Sequence, residues 1–96
     1  SQGRMKDALE LYRRLLDRQP RDAVALNNAA WASATLGDAD ALALAERAYE
    51  VAPSNPAVAD TLGWVLVRNG SHERALNVLG KARQSANAPP DIEHHY

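Results

Sequence analysis

The feature that most constrains this chain is that it writes one stretch of helix twice. "NNAAWASATLG" at residues 27–37 and "DTLGWVLVRNG" at residues 60–70 each place a tryptophan six positions before a glycine. Trp31 and Gly37 precede Trp64 and Gly70 by 33 residues, and Pro20 precedes Pro53 by the same interval. A period of this length marks a stack of small helical units, none of which can bury its apolar face alone.

Periodicity and end signals predict five helices, at 4–18, 22–36, 38–51, 56–69 and 72–86. In the first, Met5, Ala8, Leu9, Tyr12, Leu15 and Leu16 recur at three- and four-residue spacing, while Arg13, Arg14, Asp17 and Arg18 fall elsewhere. Tyr12 is expected in the core. Asp22 and Asp38 are placed to cap the second and third helices. Ser54, Asn55 and Pro56 combine capping side chains with a proline suited to a first turn. Gly37 and Gly70 suit the left-handed residue that ends a helix, and short connections make neighbours antiparallel. Ala8, Tyr12, Leu15 and Pro20 align with Ala41, Ala45, Ala48 and Pro53 at the same 33-residue offset. Ala75, Leu79 and Ala82 lie 34 further on from their counterparts, so the middle unit lacks one residue just after Gly37.

This pattern resembles the tetratricopeptide repeat. It is carried by Leu62-Gly63 in a first helix, by alanine, a tyrosine or leucine four residues on and a small residue three further in the second helices, and by a closing proline. The resemblance spans residues 3–87 and implies an all-α, right-handed helical-hairpin solenoid of about two and a half repeats. It divides the chain into the second helix of a truncated repeat (4–20), two repeats (22–53 and 54–87) and the start of another (88–96). On this reading the chain is a segment of a longer repeat protein, with apolar surface expected at one or both ends. The family's usual framework tryptophan lies earlier in the first helix, where this chain has Leu26 and Ala59. "DTLGWVLVRNG" followed by "PPDIEHHY" also resembles repeats of bacterial exopolysaccharide- and exosortase-linked export systems. The implied setting is bacterial, in the periplasm or the cytoplasm.

No constellation for catalysis stands out. There is no glycine-rich phosphate loop, nucleophile elbow or pair of histidines one helical turn apart, so no enzyme activity, cofactor or metal is expected. His94 and His95 are adjacent and would diverge by about 100° on a helix, which favours a surface position over a metal site. His72 reads as a solvated first-turn residue. A net charge of −1 gives no basic field for nucleic acid, and no apolar run approaches the roughly 20 residues of a membrane span. The chain has no cysteine, hence no disulfide or thiolate site. Arg13, Arg14, Arg18 and Arg21 form the one basic concentration, interrupted by Asp17 and Asp22, and read as a solvated face. Asp38 and Asp40 read as first-turn residues favoured by the helix dipole.

The family's fold implies that first helices line a concave face. Asn27, Trp31, Ala34 and Thr35 would then form one inward stripe, and Asp60, Trp64, Val67 and Arg68 the next. Leu26, Ala29, Ala30, Ser33, Leu36, Ala59, Leu62, Gly63 and Leu66 would face the partner helices, with Ala30 and Gly63 permitting close approach. Trp31 and Trp64 would stand on parallel helices about 10 Å apart. They serve either as anchors for a partner or as packing between repeats. The family's carboxylate clamp is incomplete, because only Asn28 matches it and Ala57 and Thr61 occupy its basic positions. The expected function is a protein-interaction scaffold that receives a peptide or helix through Asn27, Trp31, Thr35, Asp60, Trp64, Val67 and Arg68. The alternative is an oligomerisation module that self-associates through exposed end helices.

Overall fold

A computed structural model describes residues 2–87, with side chains described for residues 3–84. His94, His95 and the rest of the 88–96 segment lie outside the described residues. Five helices follow in order: α1 (Gln2–Arg18), α2 (Ala23–Leu36), α3 (Ala41–Val51), α4 (Pro56–Arg68) and α5 (His72–Asn87). No strand occurs among the described residues. Each helix packs on the next, and α2 also packs on α4. The short connections run neighbouring helices roughly antiparallel, which leaves α2 and α4 side by side and pointing the same way.

The ends of α2 and α4 are built alike. The Asp22 carboxylate accepts from the Ala25 N–H at 3.1 Å, and the Asn55 side chain accepts from the Ala57 N–H at 2.9 Å. Each thereby satisfies a donor that the first turn of a helix leaves open. At the other end Gly37 and Gly70 take φ of 75° and 81°. The N–H after each glycine reaches back five residues, from Asp38 to the Ser33 carbonyl and from Ser71 to the Leu66 carbonyl, at 2.8 Å in both cases. This is the Schellman arrangement, and it needs the left-handed backbone that glycine adopts without steric cost.

The predicted start of α3 requires correction. Asp38 does not cap it; α3 begins at Ala41, and Asp40 occupies the cap position without a side-chain capping bond. Asp38 instead accepts from the Asp40 N–H at 2.9 Å and turns the chain. The missing residue after Gly37 explains the difference. With Asp38 already closing the end of α2, too few residues remain before Ala41 for another helical turn.

Half of α2's fourteen residues are buried, because α1, α3 and α4 all pack on it. Its apolar surface is mostly alanine, a strong helix former that lets neighbouring helices approach closely. Leu26, Leu62, Leu66, Val58 and Val65 are the largest apolar side chains sealed inside. The stripe expected to face the partner helices is buried, except that Leu36 is half-covered. Gly63 shows why a small residue is needed there. A Cβ at this position would lie 2.6 Å from Leu79 Cγ, well inside contact distance. Tyr12, expected in the core, is half-buried and packs against it, while Leu15 is 38% exposed.

The helices α1, α3 and α5 make no close backbone approach to one another among the described residues. Long side chains connect them. Arg13 on α1 reaches Asp38 at 3.2 Å and Asp40 at 3.0 Å, on the turn before α3. Arg47 on α3 donates to the Pro20 carbonyl at 3.2 Å. Arg74 on α5 grips both carboxylate oxygens of Glu46 on α3, one of them at 3.0 Å. Asp38 and Asp40 are therefore turn residues that hold Arg13, not first-turn helix residues.

Candidate functional site

The parallel placement of α2 and α4 brings equivalent positions of the two units side by side. Trp31 and Trp64 occupy the same place on each helix, and their rings meet with centroids 4.3 Å apart and planes tilted by 32°. The rings lie closer together than the roughly 10 Å expected between the parallel helices that carry them. Arg68, one turn beyond Trp64, lays its guanidinium over the same indole, with its carbon 4.9 Å from the ring centroid. A short ladder results, running Trp31–Trp64–Arg68 across the two helices.

The ladder shows the tryptophans packing between the two helices while leaving part of their surface open. Each indole packs on the other, and aromatic pairs of this kind are worth about 0.5–1.5 kcal/mol beyond the area they cover. Trp31 nevertheless stays 50% exposed, and Trp64 is only partly covered. So large an apolar surface left open on a helix is where an aromatic anchor would be found.

The other predicted residues border this ladder along α2 and α4. Thr35 is exposed and turns its hydroxyl back to donate to the Trp31 carbonyl at 2.9 Å. Val67 is exposed beside Arg68. Asp60 is exposed one turn before Trp64 and has no ion pair among the described residues. Asn27, one turn before Trp31, is half-buried, and its Oδ1 is covered without a hydrogen-bond partner. Ser33 also carries a covered hydroxyl oxygen with no partner, on the side of α2 that belongs to the core.

Ala34 departs from the expectation. It is only 5% exposed and belongs to the core rather than the open stripe. With Leu42 and Val65 it lines a cavity of about 190 Å³ between the ends of α2 and α4 and the start of α3, rimmed by Arg68, Asn69 and Asp38. The resemblance placed Ala34 on the tryptophan face; the turn into α3 covers it. The cavity itself was not foreseen, since it depends on Leu42 arriving from α3.

Electrostatics separate Arg68 from the other cations near it. The Asp40 N–H, and then Arg13, hold the Asp38 carboxyl below its ordinary range. Glu46 is lowered by its hydrogen bonds to Arg74, which is raised in turn. Arg14 pairs with Glu10 one turn back at 2.9 Å. The basic segment foreseen as a solvated face is thus partly tied down, with Arg13 bridging α1 to the turn before α3. Arg68 has an indole beneath it but no carboxylate among the described residues. No group of acidic or histidine side chains that could hold a metal ion occurs among them, and none of their helices is long and apolar enough to cross a membrane.

Comparison of the chain with protein-family models, with curated proteins and with solved structures gives no match.

Proposed function

We propose that the chain is a protein-interaction scaffold of tetratricopeptide type, about two and a half helical hairpins arranged as a right-handed solenoid. The Trp31–Trp64 face receives a peptide or helix of a partner. The observation that carries this reading is the indole pair. The 33-residue period delivers two tryptophans to one place, where Trp31 stays half exposed and Trp64, packed partly against the core, keeps an open edge beside it. The identical glycine closures of α2 and α4 and the equivalent placement of their tryptophans support the repeat architecture.

In this mechanism the groove is preformed. Trp31 and Trp64 take the partner's apolar side chains, while Asp60 at one end and Arg68 at the other set its direction. The two charges lie eight residues apart on α4, about 12 Å along the axis. The test is selection from a random linear peptide library displayed on phage. Wild type is expected to enrich a family of apolar-containing peptides, and the Trp31→Ala/Trp64→Ala variant to enrich none. Equal enrichment by both proteins would remove this face from the binding site.

A second reading has its own observation. Leu76 on α5 is 72% exposed and Leu11 on α1 is 62% exposed, which leaves apolar surface on both outer helices. Self-association through these helices would give a mass that rises with concentration in light scattering. A constant monomer mass would set it aside.

A further inference from the structure

The cavity beside Arg68 adds chemical detail to the groove. Ala34, Leu42 and Val65 contribute apolar surface to its lining beside the polar Asp38, Arg68 and Asn69, and its volume of about 190 Å³ is enough for a branched aliphatic side chain. Its rim carries two charges of very different availability. Asp38 is engaged by Arg13 and by the Asp40 N–H, so its charge is already answered. Arg68 has its guanidinium carbon 4.9 Å from the Trp64 ring centroid and is paired with no carboxylate among the described residues. A guanidinium stacked on an aromatic face keeps its in-plane N–H donors free, in the fork geometry that fits a carboxylate. Asp60, the remaining acid of α4, lies about 12 Å away along the helix and cannot satisfy it.

Resting on the groove reading above, we propose that this end of the groove is an acid-reading subsite. The partner is a peptide segment carrying a branched aliphatic residue next to an aspartate or glutamate. The aliphatic side chain enters the cavity between Ala34, Leu42 and Val65, and the carboxylate pairs with Arg68. The Trp31–Trp64 pair holds the apolar residues that follow toward Asp60. Charge complementarity selects this occupant, because a basic segment would bring like charge onto Arg68.

The experiment is the same random linear peptide library on phage, read for composition as well as for enrichment. Wild type should select peptides in which Asp or Glu adjoins Leu, Ile or Val. Arg68→Ala should keep the apolar preference and lose the acidic one, and should bind a wild-type-selected acidic peptide roughly tenfold more weakly. Arg68→Glu should exchange the acidic preference for Lys or Arg, a reversal that a merely structural role for Arg68 would not produce. Arg68 is exposed, so both variants should retain the wild-type helical content by circular dichroism. Selected peptides without an acidic bias, or a bias unchanged in Arg68→Glu, overturn the subsite while leaving the groove standing. Failure of wild type to select any peptide overturns the groove and the subsite together.

Discussion

Trp31 and Trp64 are 33 residues apart in the chain and 4.3 Å apart at their ring centroids. The repeat is therefore not only a sequence pattern but a contact, since the same position in successive units meets itself. Two consequences follow for stability. Trp64→Ala should destabilise more than Trp31→Ala, because Trp64 is the more covered ring and also carries Arg68. A double-mutant cycle by urea denaturation should give a coupling of about 0.5–1.5 kcal/mol between them.

The ion pairs on the outer row follow the same repeat with their signs exchanged. Arg13 and Glu46 are equivalent positions of α1 and α3, and Asp40 and Arg74 are equivalent positions one unit apart. Arg13–Asp40 and Glu46–Arg74 are thus one geometric pair used twice, with opposite polarity. Glu46→Arg should cost up to about 1 kcal/mol, as exposed pairs do. Adding Arg74→Glu should recover most of that loss in the same denaturation assay. A double variant no better than the single one would show that the pair does not fix the spacing of α3 and α5.

Acid should weaken these links. Asp38 and Glu46 are both held below their ordinary carboxylate values in the folded chain. A group with a depressed folded value binds more protons when unfolded, so its contribution is complete above the ordinary range, near pH 4, and is lost as pH falls through the folded value. Both groups are close to solvent, so the effect is small. The melting temperature of wild type should fall more steeply below about pH 4 than that of an Asp38→Asn/Glu46→Gln variant. Parallel curves would contradict the assignment.

Gly63 makes a packing prediction. Alanine there would gain helix propensity of about 1 kcal/mol, but its Cβ would overlap three carbons of Leu79 at 2.6–2.9 Å. Overpacking of this kind usually costs about 1–3 kcal/mol, so Gly63→Ala should be net destabilising. Shortening the opposing side chain with Leu79→Ala should make the double variant less destabilised than the sum of the two single changes. Simple additivity would mean that α4 and α5 separate freely at this point.

How far the residues alone reached depends on how local each feature is. Gly37, Gly70, Asp22 and Pro56 act within one turn of themselves, so the ends they mark were readable directly. The helix count followed from them. The start of α3 departs from the expectation because this unit has one residue fewer between Gly37 and Ala41 than the next has between Gly70 and Ala75, so a turn stands where α5 has its first helical turn. Helical spacing put Trp31 and Thr35 on one stripe and Asp60, Val67 and Arg68 on another, and the family resemblance chose that side as the open one; all five border solvent. Ala34 failed because its covering comes from the turn into α3 and Leu42, which no periodicity within α2 records. The Arg13 and Arg74 pairs were overlooked, although their repeat spacing with exchanged sign was present in the sequence.

That the tryptophan pair is an open face for a partner is the proposal on which the groove rests. It is tested most directly by acrylamide quenching of single-tryptophan variants, Trp64→Phe to report on Trp31 and Trp31→Phe to report on Trp64. Strong quenching and red-shifted emission are expected for Trp31, weaker quenching for Trp64, and no change on dilution. Blue-shifted, protected emission from Trp31 that opens only on dilution would contradict it, because the face would then already be covered by a second copy of the chain.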